Sequence, residues 1–312
     1  MKTITVFGAS GRQGLAQVRV ALQAGHQVRA ITRNVSVFPI QHQSKLQVMT
    51  ADYKDSESLQ KVCKGADAVF LTPPSFTDLM SNTARMETIA DIAYKAGVQR
   101  LVLNTSMYVP DEPIGESIYD GRLALENAIE ATGISLTVFR PVLFMDNLLT
   151  DWVRPRLATD NLFVYPHNPK MRANWISLED VAEFMVRSLD DESLIGERMV
   201  IGGPETLTPP QVAQKLGEVL GRSVSYQQSS YLEFAQDLNR IFSDVIDVPD
   251  DVQINMIADF YKFNNETDMQ PMVVDMKPVL DRIPVSLTSL EDWLKQQDWS
   301  VRDPKQPAPI GG

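Results

Sequence analysis

The sequence predicts an α/β protein, a doubly wound parallel sheet with a smaller α+β carboxy-terminal domain. Three observations carry that prediction. Over the first 140 residues, short β-rich runs alternate with segments of helical spacing, as in a parallel sheet with crossover helices on both faces. The runs Val6-Phe7-Gly8, Ala68–Leu71 and Leu101–Asn104 are apolar without alternation, as strands covered on both faces are. Gly25, Gly97 and Gly133 each stand just past a helical segment, where a left-handed residue costs least.

Taken in order, strands are expected at Thr3–Phe7, Gln27–Thr32, Leu46–Thr50, Ala68–Leu71, Leu101–Thr105 and Ser135–Phe139. Helices are expected at Leu15–Ala24, Ser56–Cys63, Met80–Ala96 and Arg122–Ala131. Beyond Pro141 the alternation weakens. Strands are expected at Leu162–Tyr165, Ala173–Ile176 and Arg198–Ile201. A helix at Leu178–Leu189 opens on Ser177 as capping residue, with early acids Glu179 and Asp180. Thr208-Pro209-Pro210-Gln211 opens another with prolines in its first turn. Residues 229–270 read as helical and aromatic, and Ser289–Gln297 as a last amphipathic helix. The division drawn is a nucleotide-binding domain over 1–150, a smaller substrate or lid domain over 151–302 with some crossing of the chain between them, and a flexible tail at 303–312.

Composition excludes several classes. Among 312 residues, 44% are hydrophobic and 22% charged, the balance of an ordered globular protein. The net charge of −11 and the absence of a basic run argue against nucleic acid or an anionic membrane as a main partner. Cys63 is the single cysteine, and His26, His42 and His167 show no ligand spacing, so no disulfide framework or structural metal site is expected. No run reaches the length of a membrane span, and the opening residues run straight into a strand, giving a cytoplasmic address as the expectation. Oligomeric state is not read from the sequence.

The chemistry concentrates in Gly8-Ala9-Ser10-Gly11-Arg12-Gln13-Gly14, between the first strand and its helix. Gly8 permits a tight turn, Gly11 lets the backbone approach a pyrophosphate and Gly14 lets helix and strand pack closely. The helix start offers unsatisfied N–H groups, and Ser10, Arg12 and Gln13 border them. This context predicts a Rossmann-type dinucleotide site. At the end of the second strand an acid would bind a ribose hydroxyl, whereas an arginine accommodates a 2′-phosphate. The sequence has Arg33 there, with Arg12 as a possible second cation, so NADP(H) is expected ahead of NAD(H). The alternative is a solvated arginine at a strand end. Asp52 and Tyr53 are expected beside the adenine, Thr72, Pro73 and Pro74 with Ser75 on the diphosphate side, and Asn104 and Ser106 at the nicotinamide end. Each could equally be ordinary loop chemistry.

The motifs GASGRQG, ITR and NTSM, the block LALENAIEATGISLTVFRP, the stretch Phe144–Asn147, and the later NWISLEDVAEFM and SLEDWLKQQ together resemble the NmrA-like atypical short-chain dehydrogenases, over roughly residues 3–297. The resemblance implies an NAD(P)-binding protein. Its relatives divide into reductases of quinones and other aromatic acceptors, and redox-sensing regulators. It also implies that Phe144 and Asn147 line the nicotinamide pocket; the alternative is core packing and a helix cap. Family reductases commonly carry a lysine where this chain has Arg122, and a tyrosine or histidine where it has Ile118, with Tyr119 adjacent. Two readings follow. In one, the chain is a reductase of a small aromatic or quinone-like acceptor, with Arg122 on the ribose and a proton from water, Tyr119 or Tyr108. In the other, it is a non-catalytic NADP(H) sensor acting through a regulatory protein partner. His167 has no assigned role, and Cys63 reads as a buried small apolar residue.

Overall fold

A computed structural model describes residues 1–40, 43–74, 77–242 and 248–299. His42, Ser75 and the tail expected to be flexible at 303–312 lie outside the described residues.

The first half follows the sequence closely. Strands β1 (Thr3–Val6), β2 (Gln27–Ile31), β3 (Leu46–Met49), β4 (Ala68–Leu71), β5 (Arg100–Asn104) and β6 (Leu136–Pro141) pair in parallel in the order β3-β2-β1-β4-β5-β6. Between them run α1 (Arg12–Gln23), α2 (Ser56–Cys63), α3 (Leu79–Lys95) and α4 (Ser117–Ala131). Their apolar runs lack alternation because each face of the sheet has its own cover. Ala68 and Phe70 of β4 face one core with Val18 and Ala21 of α1. Val69 and Leu71 face the other with Val62 of α2, Ile89 of α3 and Leu125 of α4. Cys63 is fully buried there, and burial pushes its thiol up to about 11. Gly25, Gly97 and Gly133 all take positive φ, as their position past a helix demands.

The second half continues with β7 (Leu143–Phe144), α5 (Arg154–Asp160), β8 (Leu162–Tyr165), β9 (Ala173–Ile176), α6 (Leu178–Arg187), β10 (Arg198–Ile201), β11 (Thr206–Leu207), α7 (Pro209–Leu220) and β12 (Ser225–Gln228). After these come α8 (Tyr231–Phe242), α9 (Asp250–Glu266), α10 (Lys277–Arg282) and α11 (Leu290–Lys295). The expected crossing between halves takes a definite form. β10 returns to the first sheet as its seventh strand, parallel to β6 with Arg198 opposite Val138, and α6 packs on α1. These elements therefore complete the first layer although they lie after residue 150. What remains is a three-stranded sheet in the order β11-β9-β7, a parallel pair β12-β8, and a second core containing Trp175, Phe163, Phe234 and Trp293. The short pieces β7, β11, α5 and α10 carry too few residues for a periodic signal.

A buried ion cluster ties β6, α4 and β10 together. Arg140, 1% exposed, grips the fully buried Glu126 through Nε at 3.0 Å and Nη2 at 2.7 Å, and reaches Asp111 at 2.6 Å. Arg198 of β10 adds a bond to Glu126 at 3.1 Å and one to Glu130 at 2.9 Å. On α6, Asp180 accepts from the N–H and hydroxyl of Thr288 at 2.8 and 2.9 Å, a structural clasp to the carboxy-terminal segment. No helix among the described residues is long and apolar enough to cross a membrane, and none of their acidic, histidine and cysteine side chains group to hold a metal.

Candidate cofactor site at the carboxyl ends of the strands

The glycine loop has the shape its spacing predicts. Gly8 sits at φ +66°, Gly11 N–H donates to Gly8 O at 2.9 Å, and Ala9 N–H pins the loop to the end of β2 through Ile31 O at 3.0 Å. A Cβ on Gly14 would fall 2.3 Å from Gly8 O and 2.8 Å from Ala9 Cα, so only glycine lets α1 begin this close to the loop. Gly11 is the cap of α1. Amides before the first helical bond (Leu15 N–H to Gly11 O, 2.8 Å) have no helical acceptor, and the first turn carries no acid. Such a helix start favours an anion.

Beneath the loop is a closed polar ring. Gln13 Nε2 donates to Ser106 Oγ at 2.7 Å, Asn104 Nδ2 donates to Gln13 Oε1 at 2.8 Å, and Ser106 N–H donates to Asn104 Oδ1 at 2.8 Å. Ser106 takes a left-handed φ of 64°, uncommon for a residue with a side chain. The sequence named all three residues, but not their joining. One turn along α1, the buried Gln17 donates to Thr72 Oγ1 at 3.0 Å. Its spacing of four from Gln13 on an apolar face was the available signal.

At the end of β2, Arg33 is exposed and makes no hydrogen bond or ion pair among the described residues. Tyr53 packs on Phe7 with centroids 5.9 Å apart. Burial raises the phenol's pKa while Arg33 and Arg85 oppose it. Asp52 is exposed, its carboxylate accepting from Lys54 N–H at 2.9 Å within its own turn. Ser10 and Pro74 are exposed, Pro73 buried. Arg12 does not join Arg33. Its Nη1 donates to the backbone carbonyl of Asp146 at 3.1 Å, on the β6 side of β1, whereas Arg33 lies on the β2 side. The sheet order, invisible in the local sequence, separates the two cations.

At the opposite end, Phe144 of β7 is nearly buried, and Asn147 is half-buried in a short 3-10 turn, Met145–Leu149. Between them stands Asp146, a half-buried residue that the sequence reading passed over although it precedes Asn147 directly. Its Oδ2 accepts from Leu178 N–H at 3.2 Å. Burial, reinforced by Glu179, pushes its carboxyl up to about 7.

Tyr119 and Arg122 are both enclosed. Tyr119, expected as a proton donor, is 1% exposed; its hydroxyl donates to Asn264 Oδ1 at 2.6 Å and its ring packs against Tyr108, Phe260 and Phe263. Helix α9 covers it, so it holds α4 and α9 together and faces no open site. Arg122 is equally buried. Burial lowers its guanidinium to about 10, with Glu126 opposing. The aromatics of α8 and α9 are largely packing: Phe234 and Tyr261 complete the second core. His167 is buried against Tyr165 at 4.8 Å, and burial alone lowers it to about 3, so it is neutral.

The sequence model of the NmrA-like family matches residues 1–296. This chain is a member of that family. Similar to this NmrA-like chain is the NAD(P)H azoreductase of Xenophilus azovorans, 26% identical over 226 residues that cover 72% of this chain and 76% of that one. An NADPH-dependent quinone oxidoreductase from Escherichia coli, solved with NADPH, shares the fold at a TM-score of 0.71 and 21% identity, covering 94% of this chain and 98% of that one. NmrA, a negative transcriptional regulator solved with NAD, shares it at a TM-score of 0.72 and 19% identity, covering 96% and 99%.

Proposed function

We propose that this NmrA-like chain is an NADP(H)-dependent oxidoreductase that reduces a small aromatic or quinone-like acceptor. The observation that carries the reading is Arg33, an exposed guanidinium with no acidic partner among the described residues, at the end of β2 beside a loop whose Gly14 admits no side chain. A planar fork of donors in that place suits a 2′-phosphate. The α1 amides behind Gly11 would take the pyrophosphate, with Ser10 and Gln13 at its edge and Tyr53, Asp52, Thr72, Pro73 and Pro74 flanking the adenosine. Asn104, Ser106, Phe144 and Asn147 would border the nicotinamide, which when bound supplies the hydride.

Proton delivery in this reading excludes Tyr119 and Arg122, both enclosed. It falls to solvent or to the half-buried Tyr108, whose phenol burial and Asp111 keep protonated at neutral pH. A quinone tolerates this, because charge developing on it is already delocalised. The relatives named for azo and quinone reduction support the acceptor class. The lone, buried Cys63 fits action in the reducing cytoplasm.

Parallel calorimetric titration with NADPH, NADP, NADH and NAD tests the cofactor, with tighter binding of the phosphorylated pair expected. Failure of all four to bind sinks the proposal. An acceptor panel of quinones and azo dyes then tests turnover by loss of reduced-nicotinamide absorbance. The enclosure of Tyr119 and Arg122 favours a second reading, a sensor that binds the nucleotide and passes its state to a protein partner. Binding without consumption of any acceptor would select it.

A further inference from the structure

Asn147, read above as a contact of the nicotinamide, is held through its backbone carbonyl and its side-chain nitrogen. Its backbone carbonyl accepts from the Thr150 hydroxyl at 2.6 Å. Its side-chain Nδ2 donates to the Tyr165 hydroxyl at 3.3 Å. With the amide nitrogen turned to Tyr165, Oδ1 points away from it, and Oδ1 makes no hydrogen bond among the described residues.

Tyr165 is in turn enclosed. It is 1% exposed, its carbonyl accepts from the Tyr226 hydroxyl at 2.8 Å, and its ring meets Phe234 at 5.3 Å and Tyr261 edge-on at 6.2 Å. Aromatic contacts of this kind hold a phenol in one rotamer. A half-buried amide is thus aimed by the aromatic cluster of the second core.

We propose that Tyr165, backed by Tyr261, is a positioning residue that aims Asn147 Oδ1 at the carboxamide of the nicotinamide. An amide oxygen only accepts, and a primary carboxamide presents an N–H to donate. The arrangement selects a ring bearing a carboxamide over one bearing a methyl ketone, which would leave Oδ1 facing no donor. The inference rests on the cofactor reading above.

The test is calorimetric titration of the full chain with NADP and with its 3-acetylpyridine analogue, in which a methyl group replaces the amide nitrogen. Wild type is expected to favour NADP about tenfold, the worth of one well-placed hydrogen bond. Tyr165→Phe keeps the ring but frees Asn147, and should narrow that ratio to about twofold. Tyr261→Leu, which removes the ring packed edge-on against Tyr165 and leaves the Tyr165 hydroxyl in place, should narrow it to an intermediate value and guards against a folding defect in the first variant. A merely structural Tyr165 would shift the melting temperature and leave the ratio alone, which would overturn the inference. Wild-type binding of both ligands with equal affinity would overturn it too, while leaving the cofactor reading intact. Binding of neither would overturn both.

Discussion

Arg33 and Asn147 mark two ends of the candidate site that are built in opposite ways. Arg33 stands in solvent with no hydrogen bond or ion pair among the described residues, and any affinity it contributes is electrostatic and screened by salt. Asn147 is fixed through Thr150 and Tyr165, and what it contributes is direction. The Gln13–Asn104–Ser106 ring lies at the directed end as well. The contrast teaches how such a site divides its tasks. A phosphate needs charge within reach, which one mobile side chain supplies. A reacting ring needs its face and its reactive carbon set to within a fraction of an ångström, which only groups locked by their neighbours supply.

Both ends depend on the glycine loop, so the most damaging change should be there. Gly14→Ala drives a methyl group into Gly8 O, a backbone atom that cannot step aside. It should cost about 3 kcal/mol of stability, seen as a lower urea midpoint, and abolish binding of all four nucleotides. Separating the two ends comes next. Arg33→Asp should weaken NADPH roughly 30- to 100-fold and change NADH less than about threefold, by calorimetry. An equal loss for both nucleotides would remove the 2′-phosphate assignment. Raised salt should erode wild-type NADPH affinity and leave that of Arg33→Asp nearly level.

Smaller effects sharpen the directed end. Tyr119→Phe strands Asn264 Oδ1 in the core and should cost roughly 1–3 kcal/mol of stability. Turnover and its pH profile should stay as in wild type, and a tenfold slower rate would return Tyr119 to the chemistry. A pH-dependent effect concerns Asp146, whose carboxyl is pushed up to about 7 in the folded chain from its ordinary 3.8. The folded state then holds a proton that the unfolded chain has released. Stability from this group is therefore full below about pH 4 and is lost as pH rises toward 7. Thermal melts of Asp146→Asn across that window should show a flatter decline than wild type.

The parts legible in the sequence are those fixed by local geometry. Gly8 encodes a left-handed turn and Gly14 a close approach that no other residue permits, and the runs at 68–71 and 101–104 encode strands covered on both faces. The parts not legible depend on elements distant in the chain. Arg12 and Arg33 look like partners until the strand order puts β1 between them. Tyr119 resembles a catalytic phenol until α9, more than 100 residues later, closes over it. Asp146 lies in a quoted motif, but its setting is made by Leu178 and Glu179 of α6.

The return of β10 also bears on modularity. A fragment ending at residue 150 would hold the glycine loop and every residue assigned to the cofactor, yet it would not be a separable module. It would bare the edge of β6, whose residues are all buried, as an unpaired apolar strand prone to intermolecular pairing. It would also strip Arg198 from Glu126 and α6 from α1. The layer that carries the glycine loop is folded from segments on both sides of residue 150, so evolution could exchange the outer helices α8 and α9 far more readily than it could transplant that layer whole.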